Sequence, residues 1–353
     1  MAPRRNPEFN YLADNFGIVL PEAVDFYDAD LAMDAQPSLI TTSNGGIPSF
    51  LVNYFDPKIV EILTAPLKAT EILPEAKKGT WVDATAMFET AEYTGEATSY
   101  GDYQETGSAG LNTTFPQRQN YLAQTMTQWG ELELERAGRG RIDLASRKQI
   151  ASAKILEKFL NNSYFYGIAG LQNYGILNDP SLPAPITPGP KAWNGGNPGG
   201  WIVNNAQVAT ANEVFADIQN LVTSVITQSV GVVTADSPFR LVLAPQSSGA
   251  LNSVTQFNVS VMDMIKKNYP KLEVVVAPQY GSASNGGLRP SGNVAQIIAT
   301  EVDGNPTGVC AFSEKLRAHR VVPGTSHFRQ KKTCGTFGAI IWYPIAFASM
   351  VGV

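Results

Sequence analysis

The chain has 353 residues, of which 44% are hydrophobic and only 16% charged, with a formal net charge of -5; ordinary soluble domains carry about 25% charged residues. The negative balance argues against a dedicated reader of nucleic acid, which would be basic, though not against a protein that encloses one. Two cysteines, Cys310 and Cys334, are too few for a disulfide scaffold or a four-ligand zinc site. A charge-poor surface fits one that faces other subunits, because interface cores are depleted in Lys, Glu and Asp. A secreted protein rich in Thr, Asn and Gln would give the same composition. The start, MAPRRNPEFNYLADNFG, lacks the apolar core of a signal peptide. Cytoplasmic synthesis is therefore expected, and the sequons at Asn112, Asn161 and Asn258 are expected to be idle.

Residues 1–53 mix Pro, Asn, Asp and Ser with scattered aromatics, among them Phe9, Tyr11 and Phe16. No period persists there, which predicts an extended arm. Asp56-Pro57 offers an N-cap followed by proline at the first helical position, predicting a short helix through Leu63. From Thr80, Val82, Ala84, Ala86 and Phe88 alternate with polar residues, the pattern of a half-buried strand. A second extended stretch, FPQRQNYLAQTMTQW, keeps Phe115, Tyr121, Ala123 and Trp129 on one parity. Between them lies YTGEATSYGDYQETGSAGLN with four glycines, so the pair is predicted to be a hairpin arm with a long tip.

The segment from Glu131 to Tyr166 is the most helical part of the chain. Asp143 is a plausible N-cap, and Ala145, Gln149, Ala153, Leu156 and Leu160 approximate one stripe. The turn-rich stretch 166–185 and the loop ITPGPKAWNGGNPGGW follow, where Pro and Gly preclude regular structure. The last third alternates: a helix with Val214, Ile218, Leu221 and Val225 on one face, a strand (FRLVLAP), a helix (SVMDMIKKNYP) and a strand (LEVVVAPQ). NVAQIIATEVDG and TGVCAFSEKLRAHRVV add extended candidates. That order beside long arms predicts an α+β protein. The ending, GAIIWYPIAFASMVGV, is shorter than the roughly 20 residues of a spanning helix and is interrupted by Pro344. Its β-branched and aromatic residues predict a strand covered on both faces.

Catalytic signatures are scarce. His319 and His327 lack the i,i+4 spacing of a zinc pair, and the arginines around them read as a basic strip. No phosphate-binding loop, dinucleotide fingerprint or nucleophile elbow occurs. Glu131, Glu133 and Glu135 would share a face only in extended chain, so a solvated surface is expected. Lys77 and Lys78 read as turn charges rather than cross-linking groups. No enzyme activity, metal or cofactor is expected.

The order of parts resembles the major capsid proteins of tailed bacteriophages with the Hong Kong 97 fold. The segment Trp129–Pro180 carries the most specific likeness: an ELxxA-type start, a spine helix alternating lysine with alanine, and a G-[IL]-x-N-x-P turn at Gly175, Ile176, Asn178 and Pro180. Gly338, Pro344 and Gly352 punctuate an ending similar to that fold's final strand. The resemblance implies an N-terminal arm (1–53), the start of a peripheral domain (54–76), an extended hairpin loop (77–129), a peripheral domain with spine helix and glycine-rich loop (130–210), an axial domain (211–319) and a C-terminal peripheral strand (320–353).

It further implies a virion shell of pentamers and hexamers, assembled in the host cytoplasm around double-stranded DNA without sequence-specific binding and without a membrane. A separate scaffolding protein, a portal and a decoration protein are the partners expected, since 53 residues leave no room for a built-in scaffold. Intersubunit contacts are expected from Tyr93, Tyr100, Tyr103 and Leu111 of the hairpin and from Phe9, Tyr11 and Phe16 of the arm. The alternatives are an encapsulin-like compartment shell and, in a different class, a soluble hydrolase or adhesion protein with an unrecognised site.

Overall fold

The computed structural model describes residues 66–139, 143–203, 206–281 and 292–353. The expected arm with Phe9, Tyr11 and Phe16, and the helix expected after Asp56, lie outside these residues. In chain order the first elements are α1 (Ala69–Ile72), β1 (Glu75–Lys77), β2 (Thr85–Met87), β3 (Thr90–Glu96), β4 (Ser108–Thr114), β5 (Gln117–Gln119) and β6 (Tyr121–Gly130). The helices α2 (Glu131–Arg139) and α3 (Leu144–Tyr166) follow, then β7 (Ile202–Val203), β8 (Ala206–Gln207) and α4 (Ala211–Gln228). Next come β9 (Phe239–Leu243), α5 (Pro245–Ser248), α6 (Val261–Asn268), β10 (Leu272–Val276) and β11 (Val294–Ala299). The chain closes with β12 (Glu301–Val302), β13 (Asn305–Pro306), β14 (Gly308–Ala318), β15 (Val322–Pro323), β16 (His327–Ile341) and β17 (Phe347–Val351).

Helix α3 forms where the sequence predicts. The Asp143 carboxylate accepts from the Ser146 N–H at 3.2 Å, which holds its pKa below the ordinary range and satisfies one orphan donor of the first turn. Gly167, at φ 63°, ends the helix, its N–H returning to Ser163 O. Leu156, Leu160, Tyr164 and Phe165 are buried. Helix α4 opens on a capping box between Thr210 and Glu213. Its stripe of Val214, Ile218, Leu221 and Val225 is fully buried, worth about 1.5–3 kcal/mol for each side chain removed from water.

Two larger sheets carry the fold. The first runs β1-β14-β16-β15, with β6 along the other edge of β16. The second runs β10-β9-β11-β17. Strand alternation sorts the long β16 into two faces. Gln330, Lys332 and Thr336 turn toward α3, where Lys332 Nζ donates to Gln149 O and the Ser163 and Thr336 hydroxyls lie 3.0 Å apart. The opposite face is covered at one end by Ala86 and Phe88, which pack on Val309, Ala311, Phe337 and Ile340.

Four expectations are corrected. The hairpin strands are β3 and β4, inside the stretch expected to be its tip, while Phe115–Trp129 splits into β5 and β6, and β6 belongs to the first sheet. Val82 and Ala84 are exposed, leaving only Thr85–Met87 of the predicted early strand. The apolar ending is not one strand backed by the spine helix. Ile340 and Ile341 finish β16, Pro344–Ala346 form a single 3-10 turn, and Phe347–Val351 pair antiparallel with β11 in the second sheet. Conversely β14, placed by sequence in the 211–319 unit, pairs with β1 and β16 in the first sheet. Proline breaks the run, so each half is buried in a different layer. Glu131, Glu133 and Glu135 are exposed on α2, the solvated surface expected.

Candidate assembly interface

The hairpin is the part of the described structure that its own subunit leaves uncovered. Every residue of β3 and β4 is exposed. The register from Thr90↔Thr114 to Glu96↔Ser108 gives the ribbon two unlike faces. One carries Ala91, Tyr93, Ala109 and Leu111, with Tyr93 directly opposite Leu111; the other carries Glu92 and Glu96 among threonine, asparagine and serine. Gly95 allows close pairing, since a Cβ there would sit 2.6 Å from Ser108 O. Tyr93 is 88% exposed, and Tyr100 and Tyr103 at the tip are 92% and 102% exposed. Of the predicted contact residues, Tyr93 and Leu111 are thus brought together, and the two tip tyrosines stand clear of the body.

The root of the hairpin is rigidly tied. Beyond β3 and β4, β2 pairs with β5, and Gln119 N donates to Gln172 O at 2.9 Å. Arg118 Nη2 reaches Asp179 at 2.8 Å, with the Asp179 side chain fully buried, and its guanidinium lies over Tyr174 at 5.0 Å and Phe88 at 5.8 Å. This cation ties the hairpin base to the turn after α3. The pair went unread in the sequence, where its two partners lie 61 residues apart.

That turn is the motif Gly175-Ile176-Leu177-Asn178-Asp179-Pro180. Asn178 Oδ1 accepts from Gly175 N at 2.7 Å, and its Nδ2 donates to Tyr166 O at 2.6 Å. Ile176 N and Leu177 N donate to Tyr164 O and Phe165 O, capping the last carbonyls of α3. A Cβ at Gly175 would overlap the Phe165 backbone, so the close approach requires glycine. Ser181 N closes on Asp179 Oδ1 at 2.9 Å.

A second buried ion pair also went unread. Lys191, in the glycine-rich loop, meets Asp217 of α4 at 2.8 Å, both side chains 1% exposed. Asp217 additionally accepts from Trp201 Nε1 at 2.6 Å and Gly189 N at 2.8 Å. The irregular loop is therefore pinned to the second layer.

The basic strip spreads over β14–β16. His319 Nε2 lies 3.2 Å from Thr333 Oγ1, and its ring meets Trp81 edge-on at 5.8 Å. Arg317 stacks over Trp81 at 4.9 Å. Lys78 lies over Trp342 at 5.5 Å. Burial pushes the Cys334 thiol up to about 11 and raises Cys310 further, so neither is a ready thiolate. Among the described residues no group of side chains could hold a metal ion, and no helix is long and apolar enough to cross a membrane.

A family model described as "Pa193 gp26 major capsid protein" matches residues 38–352. No curated protein matches the sequence. Among solved structures, the capsid of Myoviridae phage XM1 superposes with a TM-score of 0.69 at 15% identity, covering 88% of this chain and 100% of that one. The capsid of a native GTA particle gives 0.57 at 11% identity, covering 89% and 99%. Mycobacterium phage Ogopogo gives 0.52 at 12% identity, covering 86% and 97%. At these identities the likenesses concern the fold, and they extend over nearly the whole chain.

Proposed function

The chain belongs to the Pa193 gp26 major capsid protein family, and from that premise we propose how its subunits build a shell. It is a structural protein with the Hong Kong 97 fold, a capsid subunit of a tailed phage rather than an enzyme. In our reading the subunits close as pentamers and hexamers into an icosahedral virion shell, assembled in the host cytoplasm around double-stranded DNA. With a net charge of -5, the protein would enclose the DNA without reading it. Scaffolding, portal and decoration proteins complete the proposal. Residues 1–53 serve as an arm along an adjacent subunit, α3 with the first sheet forms the peripheral body, and the second sheet with α4 and α6 forms the axial one. A compartment that holds a cargo enzyme has less support, because the family match is to a viral capsid protein.

One observation carries the assembly role: the hairpin's tyrosines and Leu111 are exposed in the lone subunit. Ordering the tip costs about 1–2 kcal/mol per residue in backbone entropy, which only a neighbour's contacts offset. Open strand edges on an isolated ribbon likewise call for a partner. Replacing residues 96–110 with a short Gly-Ser turn is expected to leave the subunit folded by circular dichroism and thermal melting, and to prevent stable shells under electron microscopy. Normal shells from this variant would refute the intersubunit role.

A further inference from the structure

Two surfaces of this chain match in charge and spacing. From Glu89 to Phe115 inclusive the sequence holds five carboxylates and no Lys or Arg. Glu92 and Glu96 lie on one face of β3, four residues apart. On the first sheet, the face turned away from α3 carries the reverse charge. Lys331 and Arg329 alternate outward from β16 while Gln330 and Lys332 contact Gln149 of α3. Arg317 of β14 stands opposite Thr333, extending the same row, and Val322 stands opposite Arg329. Met126, His319, Arg320, Val322, Arg329 and Lys331 line an open cleft on this face. Arg329 and Thr333 are also four residues apart, so both rows span about 14 Å at the rise of an extended strand.

Among the described residues, Trp81 packs on this face beside Arg317 and His319. Ala86 and Phe88 cover only its other end. Among the described residues, Arg320, Arg329 and Lys331 form no ion pair, and Arg317 reaches only Glu314, at 3.6 Å. We propose that the acidic face of one subunit's hairpin docks on this basic face of a second copy, Glu92 and Glu96 meeting the row from Arg317 to Arg329. This rests on the intersubunit role of the hairpin and names the surface that receives it. Charge complementarity of this kind sets register and suppresses wrong pairings. The ribbon's other face, with Tyr93 and Leu111, is left free for apolar contact.

A charge swap tests the pairing in the full chain. The triple variant Arg320→Glu, Arg329→Glu, Lys331→Glu and the double variant Glu92→Lys, Glu96→Lys are each expected to lower shell yield about tenfold or more, with the subunit's melting transition retained. Combining all five changes is expected to restore shells. If each set alone abolishes shells and the combination does not restore them, the proposed pairing is overturned, while the hairpin deletion still reports on the broader role. Basic-face variants that assemble normally but fill poorly with DNA would make this a nucleic-acid surface instead, and would also overturn it. Should a reversal unfold the subunit, the unaltered protein decides. Shell formation is expected to weaken from about 0.05 M to about 1 M salt, as the screening length falls to about 3 Å; indifference to salt would refute an ionic register.

Discussion

Asp217 shows how one side chain fixes a segment that has no secondary structure to hold it. Its carboxylate accepts from Lys191, Trp201 and Gly189 in a site closed to water. A buried pair of this kind adds little over well-packed apolar residues, but removing one member strands the other. Asp217→Ala would leave an ammonium, an indole N–H and a backbone N–H without their acceptor. The expected cost is about 3–5 kcal/mol, read as a lowered denaturation midpoint of the unassembled subunit; an unchanged midpoint would show that water reaches the site. The sequence held a hint of this. Asp217 falls at i+3 from Val214 and next to Ile218, inside the apolar stripe of α4, where a charge has to be paired. Its partner was not legible, because Lys191 sits in a loop whose composition predicts only irregularity. Arg118 and Asp179 were hidden for the same reason: an ion pair 61 residues apart leaves no local period.

At the scale of elements, what was legible follows from one-sided burial. Helix α4 and the main stripe of α3 each bury one face, and a 3.6-residue period records that. The hairpin strands bury neither face, so their glycines and short polar residues read as a tip, and the strand signal fell on the segments on either side. The turn after α3 was legible as a motif, but its role is tertiary. It presses on β16 at Gly338, which lies at φ +75° and whose Cβ would overlap Tyr174 O. Ala339 N donates to that same carbonyl at 2.8 Å, and Asn173 Nδ2 donates to Thr336 O at 2.9 Å. Gly338→Ala combines a left-handed backbone with a backbone overlap, each costing about 1–3 kcal/mol. Loss of about 2–6 kcal/mol in subunit stability is expected, measured by denaturant titration. A change below about 1 kcal/mol would mean that the turn moves away cheaply.

For the whole molecule, the exposed hairpin and the buried C-terminal strand have opposite roles. The hairpin is expected to be dispensable to the folded subunit, because every residue of β3 and β4 is exposed. The last ten residues are the reverse case. Strand β17 pairs along β11 through Phe347↔Ile298 to Val294↔Val351, and α4 packs against it. Ile186 at the start of the glycine-rich loop closes its free edge, its N donating to Ser349 O at 2.8 Å and its O accepting from Val351 N. Gly352 N and Val353 N both donate to Asn293 O. Since β16 lies in the first sheet and β17 in the second, this ending also links the two layers through Pro344. Deleting residues 344–353 would expose the edge of β11 and the buried face of α4 together. Fully burying Phe347 and Met350 alone contributes about 1.5–3 kcal/mol each, a large part of the 5–15 kcal/mol that keeps a domain folded. The truncated chain is therefore expected to be insoluble or to lose its cooperative melting transition, whereas the longer hairpin replacement keeps it. Native-like melting of the truncated subunit would show instead that the second sheet stands without its last strand.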